Sequence, residues 1–189
     1  PLMAAVKSGD LSIINGLLVY KANPNLQDHD GWTAAMYGVR SNEPKIFRLL
    51  GKFKADFNKV NKDGLTALAL AIVDNKANAV VAMLDNQANP DMAMGEAKYN
   101  AMMLAVKKGN LQMVQTLLQY KANPNAKNAA GLTPLMIAAF DNQDMIVSLL
   151  LKSGADPALK DSVGKTALKM AEENQAEKTV GLLKAQTSL

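Results

Sequence analysis

Asn128-Ala-Ala-Gly-Leu-Thr133-Pro-Leu-Met-Ile-Ala-Ala139 is the stretch that decides how this chain folds. A polar turn built on Gly131 runs into Thr133, and apolar residues follow at helical spacing. The Gly supplies the positive φ that a tight turn needs. The Thr hydroxyl accepts a hydrogen bond from an otherwise orphaned amide of the first helical turn, so it predicts an N-cap. The same grammar recurs at Asp28-His-Asp-Gly-Trp-Thr33, Asn61-Lys-Asp-Gly-Leu-Thr66 and Asp161-Ser-Val-Gly-Lys-Thr166. Gly31 and Gly64 lie 33 residues apart (64 − 31), as do Gly131 and Gly164 (164 − 131). Gly64 and Gly131 are 67 apart (131 − 64), which is two periods and one extra residue. A fixed period of this size marks a stacked array of helical units, each touching only its neighbours. Six units fill the 189 residues, at approximately 1–27, 28–60, 61–93, 94–127, 128–160 and 161–189, and together they predict one repeat domain.

Within a unit the first helix is short. Nine residues after each cap stands Asn42, Asn75, Gly109, Asn142 or Gln175, with Gly9 matching in the first unit. Gly and Asn adopt the left-handed conformation that ends a helix. A second helix follows, with buried faces such as Ile46, Leu49, Leu50 and Met113, Val114, Leu117, Leu118. Pro44 sits in its first turn, where a missing amide costs nothing. Ala22-Asn-Pro-Asn25, Ala88-Asn-Pro-Asp91 and Ala122-Asn-Pro-Asn125 close the units, because proline blocks helix continuation. In the fourth unit Asn100 takes the cap position and Lys98 stands where Gly is expected. The extra residue is placed just before that turn, between Pro90 and Gly95.

A turn and two short helices every 33 residues, opened by G-x-T-[PA]-L and closed by A-[DN]-P-[ND], resembles the ankyrin repeat. Thr133-Pro-Leu-Met-Ile-Ala-Ala139 and Gly154-Ala-Asp156 match the family's pattern most closely, and the resemblance covers the whole chain. It implies an all-α ankyrin-type solenoid of helix-turn-helix repeats with short hairpin turns. The chain departs from the family in two ways. The His of the family's T-P-L-H box is replaced by Met3, Met36, Ala69, Met103, Met136 and finally Lys169. At helical periodicity this reads as a core stripe packed through adaptable thioethers, not as a metal or redox site. The Gly that closes the second helix survives only at Gly154; Lys21, Lys54, Gln87 and Lys121 replace it elsewhere. A side chain in the left-handed region costs roughly 1 kcal/mol, so looser second-helix ends are expected, with a Lys row along one edge. The last unit is polar, as a cap must be, through Lys169, Glu172, Glu173, Gln175, Glu177 and Lys178. The first unit lacks polar treatment and its own opening turn, which fits residues missing ahead of Pro1.

About half the residues are apolar and the net charge is +4. Lys supplies nearly all the positive charge; Arg40 and Arg48 are the arginines. That is a solvated Lys-rich surface and not the clustered Arg and stacking aromatics of a nucleic-acid binder. No apolar run approaches the roughly 18 residues needed to span a bilayer. The chain has no cysteine, which excludes disulfides, thiolate zinc sites and cysteine nucleophiles. Cytoplasmic, periplasmic and exported locations all remain compatible. One histidine, His29, leaves little for acid–base catalysis, and no phosphate-cradling loop or metal-binding motif appears. His29 between Asp28 and Asp30 reads as a hydrated turn. The sequence therefore predicts no enzyme, no cofactor and no metal.

Function is sought on the surface. The ankyrin resemblance implies that the residue between Gly and the cap faces the concave side. That row is Trp32, Leu65, Tyr99, Leu132 and Lys165. Exposed apolar rows mark interaction sites, and aromatics anchor binding hot spots. For Leu65 and Leu132, folding back onto the neighbouring turn is an equal alternative. A second row, at the ends of the first helices, holds Arg40, Val73, Lys107, Lys108, Phe140 and Asp141. Lys107 and Lys108 also read as ordinary solvated lysines. The candidate partner-binding residues are thus Trp32, Leu65, Tyr99, Leu132, Arg40, Lys107, Phe140 and His29. They suit a protein partner with an apolar patch rimmed by carboxylates, bound by a chain that is monomeric when free. The resemblance implies a non-enzymatic protein-binding module. Similar bacterial arrays also inhibit a partner enzyme or serve in self-protection. The alternative is a small-ligand or enzyme-associated role at the atypical loop 92–99.

Overall fold

The computed structural model describes residues 1–187, which form two compact helical units. The first, Pro1–Gly95, holds α1 (Leu2–Ser8), α2 (Leu11–Val19), α3 (Ala34–Gly38), a 3-10 turn (Val39–Ser41), α4 (Pro44–Lys52), α5 (Ala67–Val73) and α6 (Ala77–Asp85). The second begins at Glu96 and holds α7 (Ala101–Lys107), α8 (Leu111–Gln119), α9 (Pro134–Phe140), α10 (Asp144–Lys152), α11 (Ala167–Glu173) and α12 (Glu177–Thr187). In each unit the first helices of successive repeats pack on one another, as α1 on α3 and α9 on α11. The second helices form a second layer, as α4 on α6 and α10 on α12. The all-helical ankyrin-type architecture expected from the repeat is therefore present.

Local chemistry builds each repeat as the sequence indicates. Thr33, Thr66, Asn100, Thr133 and Thr166 each accept the amide three residues on. Gly9, Asn42, Asn75, Gly109, Asn142 and Gln175 all have positive φ and stop the first helices. Lys21, Lys54, Gln87 and Lys121 also adopt positive φ. Their helices are nonetheless no looser than the one closed by Gly154: each runs nine residues, like α10. The reason is the shared double closure. Ala22 N donates to Leu17 O and Lys21 N to Leu18 O, just as Ala155 N donates to Leu150 O and Gly154 N to Leu151 O. These bonds offset the left-handed strain.

Met36, Met103 and Met136 are buried, Met3 is half-buried and Lys169 is exposed. The stripe does more than pack. Met36 Sδ accepts the Thr33 amide at 3.5 Å, and Met136 Sδ accepts the Thr133 amide at 3.5 Å. The thioether thus closes a capping box that a polar side chain would ordinarily close.

Repeats are also tied by asparagines. Asn25 Oδ1 accepts the Asp56 amide (2.6 Å) while its Nδ2 donates to Lys54 O (3.0 Å). Asn58 Oδ1 accepts the Asn89 amide, and Asn125 accepts from Asp156 N (2.8 Å) and donates to Gly154 O (3.0 Å). At the turn tips Lys62 N donates to Asp30 O, Ala129 N to Ala97 O and Ser162 N to Ala130 O. The Ala88–Asp91 closing turn keeps the pattern of the others, with Asp91 N bonded to Asn89 Oδ1. Met94, in register with Asn61, is buried and accepts the Thr66 hydroxyl on its Sδ. The extra residue consequently sits in the tip 95–98, not ahead of it. Gly95 and Lys98 both have positive φ there.

Candidate functional site

In the first unit α1 and α3 bring Lys7, Trp32, Tyr37 and Arg40 around a hollow of about 500 Å³, with Val6 and Ser41 completing the wall. Trp32 is half-buried, its ring tilted 33° against Tyr37 with centroids 5.1 Å apart. Lys7 Nζ lies 3.7 Å from the Tyr37 ring centroid, a cation–π contact. Tyr37 Oη donates to Asp28 Oδ2 at 2.5 Å, while Asp28 Oδ1 accepts the amides of Asp30 and Trp32. The Tyr37 hydrogen bond, helped by the Trp32 amide, holds the Asp28 carboxyl below its ordinary value. The same bond, with burial, pushes the Tyr37 hydroxyl up. Arg40 is exposed at the rim, in the 3-10 turn.

In the second unit α7, α9 and α11 bring Tyr99, Leu132, Lys107 and Phe140 to one hollow of about 440 Å³. Ile137, Met136 and Met170 form its apolar floor, and Asp141, Lys165 and Glu173 its rim. Lys107 Nζ stands 4.9 Å from the Tyr99 centroid, and Lys165 pairs with Glu173 at 2.6 Å. Phe140 is 58% and Val163 74% exposed beside this floor. Asp161 is engaged by the amides of Val163 and Lys165.

Four of the eight sequence candidates thus share the second hollow, and Trp32 and Arg40 share the first. Leu65 is half-buried and lines neither. The His29 side chain is 91% exposed and touches Asp30 and Lys62 at 3.4 Å, away from the first hollow. In the loop 92–99 Met94 is buried, Glu96, Ala97 and Lys98 are exposed, and Tyr99 belongs to the second hollow.

Lys7, Tyr37 and Val163 are not among the residues that the sequence singles out. Lys7 shares the register of Arg40 and Lys107, which is the signal in the sequence that marks it. Val163 stands at a turn tip where the other repeats carry Asp30, Asp63, Ala97 and Ala130, so a valine there has no turn-forming purpose. Tyr37 reads as one more apolar helix position. At the free face of α2, Ile13 is 53% exposed although Ile46, Ala79, Met113 and Ile146, in the same register, are buried. Among the described residues no cluster of His, Cys, Asp and Glu has metal-binding geometry, and no helix is long and apolar enough to cross a membrane.

Comparison with known proteins gives a consistent result. The family description "Ankyrin repeats (3 copies)" matches residues 2–94 and 102–188. The crystal structure of the ankyrin repeat domain of Bcl-3 superposes with a TM-score of 0.91 at 31% identity, covering 97% of this chain and 81% of that one. A chain from the complex of a predatory endopeptidase of Bdellovibrio bacteriovorus with an immunity protein superposes with a TM-score of 0.79 at 28% identity, covering 97% and 96%. Rabankyrin-5 of Mus musculus is 27% identical over 141 residues, 73% of this chain and 12% of its own length. The chain spans only 9–14% of the length of the curated relatives it matches.

Proposed function

The chain belongs to the ankyrin repeat family, and on that premise we propose that it is a non-catalytic module that grips a partner protein with its turn tips and first-helix ends. The observation that carries this is the pair Phe140 and Val163, exposed beside an apolar hollow. Stacking does not use either side chain outward, and capping needs neither. A large exposed aromatic next to a half-enclosed apolar floor is the arrangement that anchors binding hot spots. Tyr99, Leu132 and Lys107 belong to the same contact surface in this reading, and Trp32 and Arg40 to its counterpart in the first unit. All six repeats act as one domain, monomeric when free, and the partner is a protein and not nucleic acid.

A finer reading follows from one comparison. Likeness to a chain from an endopeptidase–immunity protein complex supports a role in sequestering or inhibiting a partner enzyme. Affinity capture from a lysate of the producing organism tests the proposal. Changing Phe140 and Val163 together to Ala should weaken capture of the specific partner by about 3 kcal/mol, on the order of a hundredfold. Undiminished capture by the folded double variant would sink the proposal.

A further inference from the structure

The hollow of the first unit carries a charge imbalance that neither stacking nor capping uses. Lys7 and Arg40 both line it. Lys7 faces the Tyr37 ring, and the Arg40 side chain forms no ion pair or hydrogen bond among the described residues. Asp28, the carboxylate bonded to Tyr37, is already held by the Asp30 amide, the Trp32 amide and the Tyr37 hydroxyl. Two cations and no carboxylate line the hollow beside Trp32, and the charges of Asp28 and Asp30 reach it only from behind Tyr37. The backbone is also unusual here. The first helices α5, α7, α9 and α11 each run seven residues, whereas α3 stops after five and tightens into the 3-10 turn that carries Arg40.

The geometry points to a binding site for a carboxylate side chain of the partner protein, held by Arg40 and Lys7, with the adjoining apolar side chain of that partner laid on Trp32. The inference rests on the protein-binding reading above and assigns a chemistry to its first-unit face. The planar guanidinium of Arg40 offers the paired donors that a carboxylate accepts. The Trp32 ring supplies the apolar wall.

Trp32 is the chain's single tryptophan, so its fluorescence reports occupancy of this hollow directly. The test is a titration of the full chain with acetyl-Phe-Glu-amide, acetyl-Phe-Gln-amide and inorganic phosphate. Acetyl-Phe-Glu-amide should change the emission saturably and bind about fivefold more tightly than the Gln peptide, the advantage expected of a partly exposed charge pair. Raised salt and Arg40→Gln should each erase that advantage, while Arg40→Gln leaves the thermal melt unchanged because Arg40 has no partner to lose. Equal affinity for the two peptides, or no saturable change with either, overturns the carboxylate site. Phosphate binding as tight as the Glu peptide overturns the choice of carboxylate. If these fail while Phe140 and Val163 still govern capture, this inference falls and the binding-module reading stands.

Discussion

Gly131→Ala should destabilise the chain far more than Gly164→Ala, although both glycines hold the same turn conformation. Their φ values are +75° and +82°. An alanine at either site therefore adopts the left-handed region at a cost of about 1 kcal/mol. The surroundings differ. A Cβ on Gly131 would lie 2.8 Å from the Ser162 amide nitrogen and 3.1 Å from the Asp161 carbonyl carbon, all of it backbone. A Cβ on Gly164 meets nothing within 4 Å. The tip of the next repeat must therefore move away from Gly131, weakening the bond from Ser162 N to Ala130 O, now 3.0 Å. Losing that bond costs about 1 kcal/mol, and the overpacking adds roughly 1–2 kcal/mol. The expected loss is about 3 kcal/mol for Gly131→Ala and about 1 kcal/mol for Gly164→Ala. Urea unfolding followed by far-UV circular dichroism measures both. Equal losses in the two variants would refute the claim that tip-to-tip contact, and not turn conformation, makes Gly131 necessary.

Other consequences are open to measurement. Asn125→Ala deletes two hydrogen bonds to the next repeat and should cost about 2 kcal/mol in the same assay; an unchanged midpoint would deny the asparagine ties any role. Tyr37→Phe should cost stability only over a limited pH range. Asp28 is lowered from 3.8 chiefly by the Tyr37 bond, so its stabilisation is present above that pH and fades as pH falls through the folded value. Tyr37 is raised from 10.0, so its contribution is lost as pH climbs past that point. The stability gap between wild type and variant should be widest at neutral pH and close at both ends, and a gap independent of pH would contradict the pairing. Met136→Leu removes the sulfur that accepts the Thr133 amide while keeping the volume, and should cost about 1 kcal/mol by thermal melting. A neutral result would reduce that sulfur to filler.

Much of this fold is legible in the residues because its instructions are local. Thr133 caps α9 whatever surrounds it, and Asn42 or Asn142 ends a first helix by its own φ preference. What the sequence hides is non-local. Asn25, Asn58 and Asn125 read as turn residues, yet their side chains reach backbone some thirty positions on, which only stacking makes near. The strained closures at Lys21 and Lys121 read as weaknesses because the paired hydrogen bonds that offset them are invisible in composition. The Met stripe reads correctly as core, but the sequence does not show that Met36 and Met136 also accept amides. The candidate surface divides the same way. Tyr99 and Lys107 come from one repeat, Leu132 and Phe140 from the next, and register alone indicates that they converge. Register does not indicate that Tyr37 turns outward to meet Trp32 and Lys7, because an aromatic at that helix position is usually packed.

Position-resolved photocrosslinking tests the central claim most directly. A photoreactive phenylalanine analogue would replace Phe140, Val163 or, as a control, Met145, a 68% exposed residue of α10 that does not line either hollow. Illumination in a lysate of the producing organism should yield one protein adduct, shared by positions 140 and 163 and absent at 145. An adduct confined to position 145, or none at 140 and 163, would contradict a partner-binding face on the turn tips and first-helix ends.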